Sequence, residues 1–121
     1  MVDAFADLSG DHQWIHVDTE WAKTGPYGTT IVHGLLTLTI SQHLGHEVWD
    51  VVTRKFGLNY GSDKVRFPAP LPVPAQIFVV VELLEVGERG GLIQVRTRVT
   101  TEAVGIEKPV CVFEPIVLYQ M

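Results

Sequence analysis

Residues 34 to 48 carry the clearest hydrophobic pattern in the chain. Leu36, Ile40, Leu44 and Val48 recur at four-residue steps, and Leu35 and Leu38 widen the stripe. That spacing predicts a helix with one apolar face and a nearly apolar first half. Gly34 opens it and Gly45 offers a natural stop, giving a rod about 18 Å long.

Beyond Val48 the pattern changes to that of strands. Phe56–Tyr60 and Asp63–Phe67 are two short candidates, followed by a stiff connection through Pro68, Pro70, Pro72 and Pro74 that cannot donate ladder hydrogen bonds. Three longer candidates follow at 76–86, 91–101 and 110–120. The second alternates, with Ile93, Val95, Thr97 and Val99 facing in while Gln94, Arg96 and Arg98 face out. Glu88-Arg89-Gly90-Gly91 is a hairpin signal, so the first two of these pair antiparallel. Pro115 places the last strand at an edge or at a bulge.

Before the long helix the signals are shorter. Val2, Phe5 and Leu8 fall on one side of a helix that Ser9-Gly10-Asp11 breaks. His12–Val17 reads as an irregular segment. Asp18–Lys23 suits one or two helical turns, with Asp18 as N-cap and Glu20 favourable near the positive end. Gly25–Gly28 is loop. The order predicts an α+β domain, one central helix wrapped by a curled antiparallel sheet.

Composition narrows the function classes. At 121 residues the chain fits one domain with a modest core. Its net charge of -5, with no cluster of Lys or Arg, argues against nucleic acid as the partner. The lone Cys111 lies in an apolar run and reads as a buried, reduced thiol of a cytoplasmic protein. No signal peptide or membrane-spanning stretch is visible.

Candidate chemistry concentrates in Ser9-Gly10-Asp11-His12-Gln13-Trp14-Ile15-His16. A carboxylate and an imidazole around one water can move protons near neutral pH. Spacing alone favours a plainer reading, in which Asp11 caps a turn and His16 bonds a backbone carbonyl. His12 and His16 also stand at metal-pair spacing, but no metal is expected, because Gly10 and Trp14 oppose a helix there and further ligands are needed. Gly34 is the second candidate. Backbone N–H groups at a helix start can hold a thioester oxygen as it becomes enolate-like, although a simple helix start needs no ligand. His33 reads as a hydrogen-bonded flank. No P-loop, dinucleotide fingerprint or nucleophile elbow occurs, so no cofactor is expected.

Three stretches together resemble a known family. Phe5–Asp18, Ile31-Val32-His33-Gly34-Leu35-Leu36 and Val65-Arg66-Phe67-Pro68-Ala69-Pro70 resemble the MaoC-like hydratases, the (R)-specific enoyl-CoA hydratases, in the branch that includes nodulation protein N. The resemblance runs in order through almost the whole chain and implies the hot-dog fold. It places Asp11 and His16 on the catalytic pair that activates water, and Gly34 on the glycine whose N–H polarises the thioester carbonyl. Gln13, His33, Asn59 and Tyr60 are expected at the substrate site. The family usually has Asn-Pro where this chain has Gln13-Trp14, so Trp14 loses proline's stiffness. A serine near the site in some members falls at Gln42, and that role is not carried over. Members also have a strand and more helix before the Phe5 equivalent; residues 1–121 are thus expected to form one such domain without that strand.

The resemblance implies hydration of a trans-2-enoyl thioester, on coenzyme A or an acyl carrier protein, by a homodimer. A hot-dog thioesterase is the nearest alternative; it commonly relies on an acid on the central helix, and Gly34–Gly45 contains none. A non-catalytic acyl-thioester-binding module is the other, and loss of the Asp–His pair would have favoured it.

Overall fold

The structure, a computed structural model, describes residues 1–121. Its elements are α1 (Val2–Ser9), α2 (Trp14–Val17), α3 (Thr19–Ala22), α4 (Gly34–Val48), β1 (Phe56–Arg66), β2 (Ile77–Arg89), β3 (Leu92–Ala103) and β4 (Cys111–Gln120). Gly90 and Gly91 take positive φ of 57° and 80°, so a two-residue turn joins β2 to β3 with Arg89 opposite Leu92. The strands form one antiparallel sheet in the order β1-β4-β3-β2. It curls around α4, which packs on β2, β3 and β4. This is the hot-dog fold. No helix is long and apolar enough to cross a membrane.

β3 alternates as its sequence requires: Val95, Thr97, Val99, Thr101 and Ala103 are buried while the residues between them are half-buried. The outward Arg96 and Arg98 each reach Glu114 at 3.2 Å, pairing a carboxylate that is only 3 % exposed.

The face of α4 closest to the sheet is not the leucine stripe. Thr37, Ser41 and Gly45 are buried along with Leu36, whereas Leu35 and Val48 are exposed. A curled sheet leaves little room under its helix, so small residues take the closest positions and the larger ones spread to the flanks. Their hydroxyls are satisfied locally. Thr37 donates to the His33 carbonyl at 3.1 Å, Ser41 donates to the Thr37 carbonyl at 2.6 Å, and Thr101 of β3 donates to the Ser41 hydroxyl at 2.6 Å. Cys111 closes this polar line. Burial pushes its thiol up to about 11, against a smaller lowering by the Ser41 hydrogen bond, so it stays protonated and unreactive at neutral pH.

Four further expectations are corrected. Gly45 does not end α4, which continues to Val48, with the Trp49 N–H on the Gly45 carbonyl as its cap. Phe56–Tyr60 and Asp63–Phe67 join into the single strand β1, with register shifts between Asn59 and Gly61 and between Asp63 and Arg66. Residues Trp14–Val17 form a helical turn, with the His16 N–H on the Gln13 carbonyl at 3.0 Å. Pro115 lies in a central strand. Its registers with β3 pass from Val99–Phe113 to Arg96–Ile116, so the position of the missing N–H has no ladder partner on that side.

Gly45 gives a direct test of this packing. A Cβ placed there would meet Val99 and Val81 at 3.7 and 3.8 Å, which is ordinary contact. Gly45→Ala should therefore stabilise the protein by about 0.5–1 kcal/mol through reduced chain freedom in the unfolded state. Thermal denaturation should show a melting temperature higher by about 2–6 °C; a lower one would mean the sheet lies closer to α4 than described.

Candidate active site

The site is assembled from three chain breaks that meet. α1 ends at Gly10, whose φ of 81° is the left-handed cap glycine allows, with its N–H on the Ala6 carbonyl at 2.9 Å. The chain then turns sharply. Ser9 Oγ accepts from the Asp11 N–H at 3.2 Å, and Asp11 Oδ1 accepts from the Gln13 N–H at 3.3 Å. One turn of α2 follows and carries His16 inward until its side chain is 8 % exposed. Trp14 braces this turn; its ring lies 2.9 Å from where a Cβ on Gly25 would stand, so packing supplies stiffness in proline's place.

His16 Nδ1 lies 2.7 Å from the carbonyl oxygen of Ile31. A carbonyl can only accept, so Nδ1 carries the hydrogen and Nε2 keeps its lone pair. That lone pair faces Asp11 Oδ2 across 4.0 Å. Two hydrogen bonds of about 2.8 Å meeting at one oxygen bracket such a gap, which suits a single water. Asp11 itself is half exposed, so its carboxylate stays solvated.

His33 supports both residues from behind. It is 2 % exposed, stacks on His16 at 3.9 Å with 23° between ring planes, and donates from Nε2 to the Asp11 carbonyl at 2.9 Å. Phe5 holds its other side edge-on at 4.9 Å. His33, expected at the substrate, ties the Asp11 turn to the start of α4 and also lines a cavity there with Asp11. Its Nδ1 has no partner.

Gly34 follows directly as the first residue of α4, where N–H groups lack intrahelical acceptors and the helix end is partly positive. The Phe67 ring comes within 3.0–3.1 Å of the point a Cβ would occupy, so a side chain at this position would have to push the ring aside. Cavities of about 390 Å³ and about 420 Å³ flank this contact. His16 lines the first and Asp11 the second; Gly34 lines both.

Asp11, His16 and Gly34 thus come together, whereas Asn59 and Tyr60 line neither cavity. Asn59 accepts from Gln42 Nε2 at 2.6 Å, and Tyr60 lies beneath the Arg89 guanidinium at 4.9 Å. Tyr60 has no register partner on β4, because it falls in the shift between the Asn59 and Gly61 pairs. Gln13 also lines neither cavity, and it meets Asp11 through its backbone N–H. Sequence reasoning missed the Ile31 carbonyl, which no side chain advertises, and Phe67, which stands inside the third resembling stretch.

Asp11, His16 and His33 offer ligand atoms within 4.8 Å of one another. Each imidazole already spends one nitrogen on a carbonyl, and stacked rings send their in-plane lone pairs side by side rather than toward a common point. His12 is elsewhere, on exposed Asp7 at 2.9 Å, and that hydrogen bond chiefly holds its imidazole above the usual range. The arrangement suits acid–base chemistry on a bound water.

Comparison with known proteins agrees in extent. The profile of the MaoC like domain matches residues 1–104. A 3-hydroxyacyl-thioester dehydratase Z of Mycobacterium tuberculosis is 48% identical over 119 residues, covering 98% of this chain and 79% of that protein. Nodulation protein N of Rhizobium leguminosarum bv. viciae is 37% identical over 111 residues, covering 89% and 69%. Among solved structures, the (R)-hydratase from A. caviae involved in PHA biosynthesis superposes with a TM-score of 0.73 at 26% identity, over 96% of this chain and 83% of that one.

The tautomer is open to measurement. In nitrogen-15 spectra of the neutral imidazole, His16 should be the Nδ1–H form, with Nε2 unprotonated. An Nε2–H signal for neutral His16 would remove the lone pair from the face toward Asp11.

Proposed function

Because the chain belongs to the MaoC-like domain family, we propose that it adds water reversibly to trans-2-enoyl thioesters, giving (R)-3-hydroxyacyl thioesters. The observation that carries this reading is the orientation of His16, its Nδ1 fixed on Ile31 and its Nε2 facing Asp11 across 4.0 Å beside Gly34. The names of the mycobacterial dehydratase and the A. caviae hydratase support it.

In this reading the steps use that geometry. A water between Asp11 and His16 gives a proton to His16 Nε2 as its oxygen bonds to the β carbon. Electrons move through the α carbon to the thioester oxygen, which takes enolate charge. The Gly34 N–H and the start of α4 stabilise that charge. His16 then returns the proton to the α carbon, and the base is restored. Asp11 remains a carboxylate throughout, holding the water. Dehydration is the same path reversed.

The substrate is an acyl thioester of coenzyme A or of an acyl carrier protein, and no cofactor takes part. The reading places the enzyme in the cytoplasm, where a buried thiol such as Cys111 stays reduced. It also makes the enzyme a homodimer. Both edge strands expose apolar side chains, among them Leu58 and Tyr60 on β1 and Val80 and Leu83 on β2, and an unpaired apolar edge invites a second copy. Light scattering at micromolar concentration should give twice the chain mass, and a stable monomer would contradict this.

Substitutions at the pair test the mechanism. Asp11→Asn and His16→Gln should each lower turnover of crotonyl-CoA by about 10²–10⁴-fold, the usual worth of a positioned acid–base group. KM should change far less, since the lost interactions strengthen in the transition state. The two losses should not add, because both act on one water. Gly34→Val should weaken binding and turnover together by pressing on Phe67. Near-full hydration by either single variant would overturn the assignment.

A further inference from the structure

The geometry points to Phe67 as the residue that sets acyl chain length, a role that rests on the hydratase reading above. The two cavities at the site share Gly34 and Phe67 and no other lining residue. One opens on Asp11, the other on His16. A β carbon undergoing hydration must reach the water held by both, with its thioester oxygen at Gly34. A bound substrate therefore crosses the seam that the Phe67 ring covers, and the ring is a partition between the two cavities.

The surroundings suit a ring that gives way while its backbone stays. Arg66 pairs with Val112 on one side, and on the other Pro68 fixes its own φ while the Ala69 N–H bonds the Pro109 carbonyl at 3.0 Å. Phe67 is 42 % exposed, with two side-chain torsions that can turn its ring. The cavity beyond it sets Ile31, Val32, Leu71 and Val110 beside the more polar His16, Tyr27 and Thr37, and its aliphatic side takes an acyl tail. The cavity before it holds Ser9 and Asp11 and takes the thioester and its carrier arm. Short enoyl groups fit at the seam with little disturbance. Longer ones must displace the ring to reach the aliphatic side.

The test compares trans-2-octenoyl-CoA with crotonyl-CoA. In Phe67→Ala the ratio of their kcat/KM values should rise at least about tenfold over wild type, the scale of a few methylenes newly admitted to an apolar pocket. In Phe67→Trp it should fall. A ratio within about twofold of wild type in both variants would overturn the proposal while leaving the hydratase reading intact. Should Phe67→Ala fail to fold by circular dichroism, Phe67→Leu carries the test, with a smaller rise expected and no change overturning it. A wild-type protein inactive on crotonyl-CoA would contradict the hydratase reading instead. Calorimetric binding of butyryl-CoA and octanoyl-CoA then decides the partition: a shift toward octanoyl-CoA in Phe67→Ala supports it, and an unchanged preference overturns it.

Discussion

The hydrogen bond from His16 Nδ1 to the Ile31 carbonyl is the constraint on which the site depends. It selects the tautomer, fixes the ring plane, and leaves a single nitrogen facing Asp11. Its acceptor is held in turn, because the Ile31 N–H bonds the Ile15 carbonyl at 2.9 Å, in the turn that carries His16. Two segments fifteen residues apart therefore brace each other at the reacting centre. Stacked His33 prevents the imidazole from swinging away, and its bond to the Asp11 carbonyl sets the carboxylate's distance.

That local order is anchored to the fold through α4. The Thr37 hydroxyl bonds the His33 carbonyl, Ser41 continues the line one turn later, and Thr101 links it to β3. These three hydroxyls are each satisfied, so the helix sits close on the sheet without orphaning them. The start of α4, and with it the Gly34 N–H, is thereby held against the strand that forms the middle of the core. A small-residue face serves this better than a leucine face would, since bulk would push the helix outward and carry Gly34 with it.

This also explains what the sequence disclosed and what it did not. The β2–β3 hairpin and the alternation of β3 were legible, because Gly90-Gly91 and a two-residue period each have one structural meaning. The span of α4 was nearly legible, but its buried face was not. Periodicity weighs large apolar residues, while closest approach is made by Thr37, Ser41 and Gly45. β1 was split in two because bulges interrupt its pattern. At the site, Asp11 and His16 were visible as residue types, and the plain reading of each was correct as well: Asp11 does cap a turn and His16 does bond a carbonyl. Those bonds position the pair rather than compete with its chemistry. Tyr60, by contrast, falls in the β1 register shift beside Asn59, where the alternation of strand faces breaks.

The central claim is that one water, held between Asp11 and His16 on a single face of the substrate, adds to the β carbon of an enoyl thioester. The most direct measurement is one assay of the wild-type protein on crotonyl-CoA that follows enoyl absorbance, free thiol and product chirality together. The account predicts loss of enoyl absorbance, accumulation of the (R)-3-hydroxybutyryl thioester and no free thiol. Release of thiol without a 3-hydroxyacyl product, or an (S) product, would contradict it.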